Sequence, residues 1–227
     1  MDSRYVLIVE DDSLLRELLA TALESWGYSV QTASNVADAK RLFKLSDPDG
    51  VILDVDLGPG PNGFDLAQII LATAPATSIV FLTHMPDSRF VEVDPDGLPT
   101  GISYLRKSAL SDLNLLKQAL DVTMRGEVTA EFRHDKDKNR PFGNLTKKQI
   151  EVLRLMSQGK SNAQIAQIRG TSVKAVEDAI RRACEAIGVD NSVDGNTRTA
   201  AVAKYLSVTG ISKYTPTLLK NLDTWIK

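Results

Sequence analysis

Residues 51–54 read Val-Ile-Leu-Asp, an apolar run that ends in a carboxylate, and residues 6–12 repeat this pattern as Val-Leu-Ile-Val-Glu-Asp-Asp. The run 79–83, Ile-Val-Phe-Leu-Thr, ends in a hydroxyl, and the run 102–107, Ile-Ser-Tyr-Leu-Arg-Lys, ends in a lysine. Short apolar runs are typical of strands buried on both faces of a parallel sheet. In an open parallel sheet, ligands bind outside the C-terminal strand ends. The four runs therefore predict a metal-assisted, phosphoryl-accepting site at one edge.

Helical patterns separate these runs. Apolar residues recur at helical spacing over 15–26, 64–74 and 110–124, and Asn35 can cap a further helix that runs to about residue 45. With a short strand at 28–33, this alternation predicts an α/β fold, a doubly wound five-stranded parallel sheet. Residues 84–101 are rich in proline and glycine, so the helix after the fourth strand is predicted to be short or absent.

The two halves of the chain carry opposite charge. The net charge of the 227 residues is −2, but residues 1–125 hold 18 acids against 10 bases, and residues 126–227 hold 11 acids against 17 bases. This predicts a cation-binding half and a half that approaches an anionic polymer, the alternative being two solvated surfaces of different sign. The single cysteine, Cys184, excludes a disulfide framework and a cysteine metal cluster. Without a membrane span or signal-peptide pattern, we expect a cytoplasmic protein with no membrane partner.

The second half is helical. Thr146 with Gln149, and Ser161 with Gln164, form capping boxes that open two helices, and Ser172 opens a third that ends near residue 188. Two helices joined by a short glycine-bearing turn make a helix-turn-helix. Further helices are predicted at 198–207 and after Thr215-Pro216. The predicted organisation is an α/β domain at 1–125, an exposed linker at 126–143 with a solvated His134, and a small all-α domain at 144–227 with a C-terminal extension.

The residue types at the sheet edge suit phosphoryl chemistry. Two carboxylates about 4 Å apart repel by roughly 4 kcal/mol at an effective dielectric near 20, so an acidic cluster of Glu10, Asp11 and Asp54 needs a cation. Hard oxygen ligands favour Mg²⁺. Lys107 would help to neutralise the transferred group, Thr83 would donate to one of its oxygens, and Asp54 would be the nucleophile.

Residues 3–125 resemble a response-regulator receiver domain. The resemblance rests on Val-Glu-Asp-Asp at 9–12, Leu-Asp-Val-Asp-Leu at 53–57, Gly63, Thr83 and Tyr-Leu-Arg-Lys at 104–107. It implies that Asp54 accepts phosphate from the phosphohistidine of a sensor histidine kinase. The other roles that it implies are the acid pair Glu10 and Asp11, the metal-binding backbone carbonyl of Asp56, the switch pair Thr83 and Tyr104, and the phosphate-binding Lys107. Asp12 is expected to cap the following helix.

The sequence departs from the receiver pattern in two places. The loop 57–63 is one residue longer than usual, which we expect to leave the chemistry intact. The missing helix after Thr83 removes part of a face on which receivers often dimerise, and this puts the ordinary switch in question.

Residues 144–189 resemble the LuxR-type helix-turn-helix of response regulators. The supporting residues are Leu145-Thr146, 158–162, Ile165-Ala166, Val176 and 187–189. The recognition helix would span 172–187, with a buried stripe of Val173, Val176, Ile180, Ala183 and Ile187. The residues predicted to contact DNA are Lys160, Lys174, Glu177, Asp178, Arg181 and Arg182. Since the family usually has lysine where Glu177 stands, we expect DNA binding that is weaker or more dependent on dimerisation.

The sequence therefore predicts a two-component response regulator that binds Mg²⁺, double-stranded DNA and a sensor kinase, and that forms a homodimer when active. It would not be an enzyme beyond self-phosphorylation and autodephosphorylation at Asp54. One alternative is an atypical regulator that acts through protein contacts or without phosphorylation. A distant alternative is a phosphatase of the Asp-x-Asp type, based on Asp54-Val55-Asp56, in which the second aspartate is an acid/base catalyst.

Overall fold

The computed structural model describes residues 3–91, 98–99, 101–110, 113–189 and 196–210. The described residues fall into two compact units. The first comprises Met1–His84 with Val93–Asp137, and the second comprises Met85–Glu92 with Lys138–Lys227. Within the described residues, no helix combines the length and the apolarity needed to cross a bilayer.

A five-stranded parallel sheet forms the centre of the first unit. Its strands lie in the order β2-β1-β3-β4-β5, and every neighbouring pair is parallel. The bounds are β1 Tyr5–Val9, β2 Ser29–Ala33, β3 Gly50–Leu53, β4 Ser78–Thr83 and β5 Ser103–Arg106. The central strand β3 is buried along its whole length because both faces of the sheet are covered. The sheet predicted from sequence is confirmed.

Three α-helices each connect two strands of this unit, and a fourth follows β5. They are α1 Ser13–Ser25, α2 Val36–Ser46, α3 Gly63–Thr73 and α4 Asn114–Met124. Asp12, Asn35 and Asn62 cap the first three through hydrogen bonds from backbone N–H groups, as is usual for residues of these types. The prediction that Asp12 caps α1 is thus confirmed.

No α-helix follows β4 among the described residues of 84–101. A single 3-10 turn spans Ser88–Phe90, which agrees with the predicted loop containing at most one turn. Residues 85–91 belong to the second unit and not to the sheet domain from which they emerge. The sequence did not predict that residues 85–91 join the second unit, because the segment has no periodicity that identifies a packing partner.

The prediction of an exposed linker over 126–143 is wrong for its first part, up to Asp137. Residues up to Asp137 belong to the first unit, and Phe132 and Arg133 are buried. Arg133 forms an isolated parallel bridge with Tyr104 of β5. His134, predicted to be solvated, is half-buried, and its Nδ1 accepts a hydrogen bond from the Arg106 backbone N–H at 3.1 Å. The segment therefore satisfies edge groups of β5 that the sequence pattern left unassigned.

The second unit contains four described helices. They are α5 Lys147–Ser157, α6 Asn162–Ile168, α7 Val173–Ala186 and α8 Thr197–Thr209. The capping boxes of Thr146 with Gln149 and of Ser161 with Gln164 are both present, so the predicted starts of α5 and α6 are confirmed. The predicted terminal helix after Thr215 lies outside the described residues.

Candidate functional site

The acidic residues meet at the C-terminal edge of the sheet because β1 and β3 are neighbours. The Asp54 backbone N–H donates to the Val9 carbonyl at 2.9 Å, which aligns the two strand ends. Glu10 and Asp54 directly follow these strands and are 2% and 4% exposed. Two buried carboxylates at one edge need compensating charge, since an unpaired buried charge is costly.

Lys107 supplies part of that charge. Its Nζ lies 2.6 Å from Glu10 Oε2 and 2.6 Å from Asp54 Oδ2, and so it bridges the two carboxylates. Burial and the neighbouring charge of Asp54 raise the pKa of Glu10 to about 7, although Lys107 acts in the opposite direction. Burial lowers the pKa of Lys107, but Asp54 and Glu10 outweigh it and leave that pKa above its usual value. The lysine is therefore a fixed cation next to the proposed nucleophile.

Backbone groups orient the Asp54 carboxylate. Its Oδ1 accepts from the N–H groups of Val55 at 2.6 Å and Asp56 at 3.3 Å, while Oδ2 faces Lys107. Gly63 lies directly above this turn, since a Cβ built on Gly63 would stand 2.0 Å from the Asp54 carbonyl oxygen. Only glycine permits this approach, which gives a physical reason for Gly63 in the longer loop 57–63.

The same carboxylates fit a divalent cation. One ligand oxygen from each of Glu10, Asp11 and Asp54 can be chosen so that all three lie within 4.8 Å of one another. Opposite ligands of an octahedral Mg²⁺ are about 4.2 Å apart, given ligand distances near 2.1 Å, so small movements would close the site around an ion. The pKa of Glu10, which burial and then the charge of Asp54 raise, is a second sign that the site suits a cation.

Thr83 and Tyr104 lie on the adjacent strands. Thr83 ends β4, is fully buried, and pairs in register with Arg106, the residue before Lys107. Tyr104 is also fully buried, with its ring 6.4 Å from that of Phe64 and 5.9 Å from that of Phe81. The Tyr104 ring thus already occupies the interior of the domain.

His84 is a residue of the site region that the sequence analysis missed. It follows Thr83 directly and is exposed to solvent. Burial and the positive charge of Lys107 lower the pKa of His84, while Asp54 and Asp56 act in the opposite direction. The sequence signal that could have identified His84 as a residue of the site region was its position next to Thr83, the predicted phosphoryl-binding threonine.

The exposed face of α7 carries five of the six residues predicted to contact DNA. Lys174, Glu177, Arg181 and Arg182 are exposed, and Asp178 is half-exposed. Arg181 bonds to Glu185 at 2.9 Å and approaches Asp178 at 3.8 Å. Among the described residues, Glu177 has no ion-pair partner. In the part of the chain that the structure describes, this face therefore combines two basic side chains without an ion-pair partner, Lys174 and Arg182, with one unpaired acid, Glu177.

Other predicted residues of this domain differ in exposure. Val173, predicted to be buried, is 41% exposed because it begins α7 beside the turn and lies off the packed stripe. Cys184 is buried, and this burial raises the pKa of its thiol. Arg169, a further basic residue of this domain, pairs with Glu151 at 3.2 Å. Lys160 is half-buried, and its carbonyl accepts a hydrogen bond from Arg198.

Comparison with known families agrees with both halves of this description. The response regulator receiver domain family matches residues 6–94, and the luxR family of bacterial regulatory proteins matches residues 143–195. Together these matches cover more than half of the chain. The chain belongs to the LuxR-type response regulators. Such a regulator combines a receiver with a DNA-binding domain and regulates transcription.

Curated relatives of this response regulator span both domains. The transcriptional regulatory protein LiaR of Bacillus subtilis (strain 168) is 26% identical over 185 residues, which cover 77% of this chain and 86% of LiaR. The DNA-binding transcriptional activator DevR/DosR of Mycobacterium tuberculosis (strain ATCC 25618 / H37Rv) is 27% identical over 196 residues, which cover 82% of this chain and 88% of that protein.

Solved structures agree on the fold. RcsB of Salmonella enterica serovar Typhimurium, bound to the promoter rprA in the presence of the phosphomimetic BeF3−, aligns with a TM-score of 0.56 and 21% identity, covering 91% of this chain and all of that one. A structure of two RcsB dimers bound to two parallel DNAs aligns with a TM-score of 0.54 and 21% identity, covering 91% of this chain and 99% of that one. At this identity the likeness supports the fold of the response regulator.

Proposed function

We propose that Asp54 of this response regulator accepts a phosphoryl group from a sensor histidine kinase, and that this modification regulates DNA binding by the helix-turn-helix domain. One observation carries the proposal. The Asp54 carboxylate is buried beside Glu10, and Lys107 lies 2.6 Å from both. A carboxylate held beside a fixed cation is a suitable nucleophile for an electron-rich phosphoryl group.

In the transfer step, an Asp54 carboxylate oxygen forms a bond to phosphorus. The bond between phosphorus and the imidazole nitrogen of the kinase breaks, and the bonding pair leaves with the imidazole. Because Asp54 Oδ1 is held by two backbone N–H groups, the oxygen that faces Lys107, Oδ2, is the one in position to attack. Lys107 would then hold a phosphoryl oxygen while Thr83 donates to another.

Glu10, Asp11, Asp54 and the backbone carbonyl of Asp56 would hold the Mg²⁺. The ion would neutralise charge on the transferred group. Glu10 must be ionised to serve as a ligand, so its elevated pKa makes binding of the ion and protonation of Glu10 competing events. The chemistry is confined to self-phosphorylation and autodephosphorylation at Asp54.

In the output domain, α7 would enter the major groove as the recognition helix. Lys174 and Arg182 would contact phosphate or guanine, and Glu177 would accept a hydrogen bond from the N4 amino group of cytosine. Arg181 would have to leave its acidic partners to contribute, which weakens binding by a single copy. We therefore propose that a homodimer is the DNA-binding species.

Labelling with a small phosphodonor in Mg²⁺ tests the proposal. Asp54→Asn should abolish incorporation of phosphate, and retained labelling of another carboxylate would refute the assignment. Asp56→Asn keeps its backbone carbonyl and should still be labelled. If Asp56→Asn instead abolishes phosphate turnover while leaving a trapped phosphoenzyme, the Asp-x-Asp phosphatase alternative gains support.

A second candidate function is output through protein contacts. It is favoured by the acids on the exposed face of α7 and by the pairing of Arg181 with Glu185. DNA affinity against salt concentration, measured on a pool of genomic fragments with and without beryllofluoride, separates the two. Binding that tightens with beryllofluoride and weakens with salt supports transcriptional control. Absence of binding in both states supports protein contacts.

A further inference from the structure

The segment Met85–Val91 belongs to the core of the helix-turn-helix domain. Phe90 is 2% exposed, and its ring stacks on those of Phe142 and Tyr205 with centroids 6.1 and 6.0 Å away. Phe142 and Tyr205 stack on each other at 6.4 Å. Aromatic groups of this kind contribute more than their buried area alone. The segment therefore contributes one of the three aromatic rings that cover this part of the output core.

Polar contacts hold the same segment from its other side. Asp87 is 4% exposed, and its carboxylate accepts from Arg89 at 2.6 Å and from Arg140 at 2.6 Å. Burial raises the pKa of Asp87, but the two arginines outweigh it and leave that pKa below its usual value. Arg89 also donates to the carbonyls of Phe142 and Leu145. A buried ion pair with this many hydrogen bonds fixes the segment in one place.

The chain connects this anchored segment to the phosphoryl site with a single intervening residue. Thr83 ends β4 in the first unit, His84 follows, and Met85 already packs against the core of the second. One residue spans at most about 3.6 Å, so little slack separates Thr83 from the anchor. A movement of Thr83 would therefore be transmitted through His84 to Met85, the first residue of the anchored segment.

We propose that residues 85–91 are a coupling element through which the phosphorylation state of the receiver controls the output domain. The inference rests on the proposed function, since it requires Thr83 to engage a phosphoryl group on Asp54. When Thr83 moves towards that group, the chain pulls on Met85. This pull shifts the equilibrium between an anchored state, in which residues 85–91 pack in the output core, and a released state, in which they do not. Release would remove Phe90 from beside Tyr205 of α8, and Tyr205 would lose one of its two aromatic partners while it keeps Phe142.

Thermodynamic linkage makes the coupling reciprocal. If a phosphoryl mimic on Asp54 loosens the Phe90 anchor, then loosening the anchor by mutation must strengthen binding of the mimic, by no more than the ratio of its affinities for the released and the anchored state. Such couplings are typically roughly 5- to 150-fold in affinity. A purely structural role of Phe90 in the output core would leave the receiver site unaffected.

The experiment measures beryllofluoride affinity of the full chain in Mg²⁺ by calorimetry. We expect Phe90→Ala to change this affinity by at least about five-fold. Ile165→Ala serves as the matched control, because Ile165 is fully buried in the same hydrophobic core but lies on α6. Arg140→Gln removes a polar anchor without deleting core volume, and it should shift the affinity in the same direction if Phe90→Ala does not fold.

The outcomes are distinct. A shift with Phe90→Ala and Arg140→Gln, but not with Ile165→Ala, supports the coupling. Equal affinities in all variants, or an equal shift with Ile165→Ala, overturn it and leave the proposed function standing. Failure of the unmodified chain to bind beryllofluoride overturns both.

Discussion

The rings of Phe90 and Tyr205 stack with centroids 6.0 Å apart and planes inclined by 26°. Phe90 follows the fourth strand of the receiver sheet, whereas Tyr205 lies in α8, the last described helix of the chain. The output domain therefore completes its core with a residue inserted in the middle of the receiver sequence. This arrangement leads to the first prediction.

Phe90→Ala should destabilise the helices of the second unit by about 3–5 kcal/mol, the usual cost of deleting a buried phenyl ring. Hydrogen exchange of amides in α5 and α8 would measure the loss, with amides of β1 and β3 as the internal reference. Leu14→Ala, at a residue that is 77% exposed on α1, is the control and should change neither set. Unaltered exchange in α8 would contradict the role given to Phe90.

Gly63→Ala should lower both stability and labelling of Asp54. Alanine normally stabilises a helix by about 1 kcal/mol relative to glycine. At Gly63 the sign is reversed, because the new Cβ would collide with the backbone of Asp54. Ala72→Ser, at an exposed site on the same helix, should leave labelling unchanged. Thermal unfolding and phosphodonor labelling together provide the check, and a stabilised Gly63→Ala variant with normal labelling would be incompatible with this geometry.

Binding of Mg²⁺ should tighten as the pH rises through about 7 and should release a proton. The reason is the pKa of Glu10, which is raised from 4.5 to about 7, mainly by burial and then by Asp54. The contribution of protonated Glu10 to folding stability is fully present below about pH 4.5 and is lost as the pH rises through about 7. Binding of Mg²⁺ to the ionised Glu10 therefore becomes more favourable as the pH rises through about 7. Calorimetry in two buffers of different ionisation enthalpy measures the proton. Glu10→Gln should remove the release, and an unchanged buffer dependence in that variant would assign the proton elsewhere.

Stability should fall as the pH drops below about 6.5, partly through His134. Burial, and then the charge of Arg106, lower the pKa of His134 in the folded protein. Stability from neutral His134 is fully present above the ordinary pKa of 6.5 and declines as the pH falls towards the lower folded value. His134→Gln should reduce this decline, with His84→Gln as the companion variant because His84 has a lowered pKa as well. An NMR titration in which His134 protonates above pH 6.5 would argue against its hydrogen bond from Arg106.

Glu177→Lys should strengthen nonspecific DNA binding and steepen its salt dependence. Each additional phosphate contact changes the slope of log affinity against log salt by about −0.9. Glu24→Lys makes the same charge change at an exposed site of the receiver and controls for total charge. Fluorescence anisotropy over a salt series measures both variants. Equal effects of the two substitutions would show that Glu177 does not face DNA.

Much of this protein is determined by local sequence. The apolar runs at 6–9, 51–53 and 79–82 fixed the strands, and the carboxylates of Glu10 and Asp54 followed from where those runs ended. The helix starts at Thr146 and Ser161 were readable because a capping box needs only residues three apart. These features depend on short-range periodicity and on hydrogen bonds within one turn of the chain.

Tertiary structure decided the rest. The burial of Phe132 in the receiver core and of Phe90 in the output core depends on packing partners that are far away in sequence. Neither segment has a periodic pattern from which these partners could be predicted. The same holds for Lys107, whose equal distances to Glu10 and Asp54 arise only because β1, β3, β4 and β5 lie side by side in the sheet. Sequence identified the residues capable of phosphoryl chemistry, while packing determined which parts of the chain complete each domain.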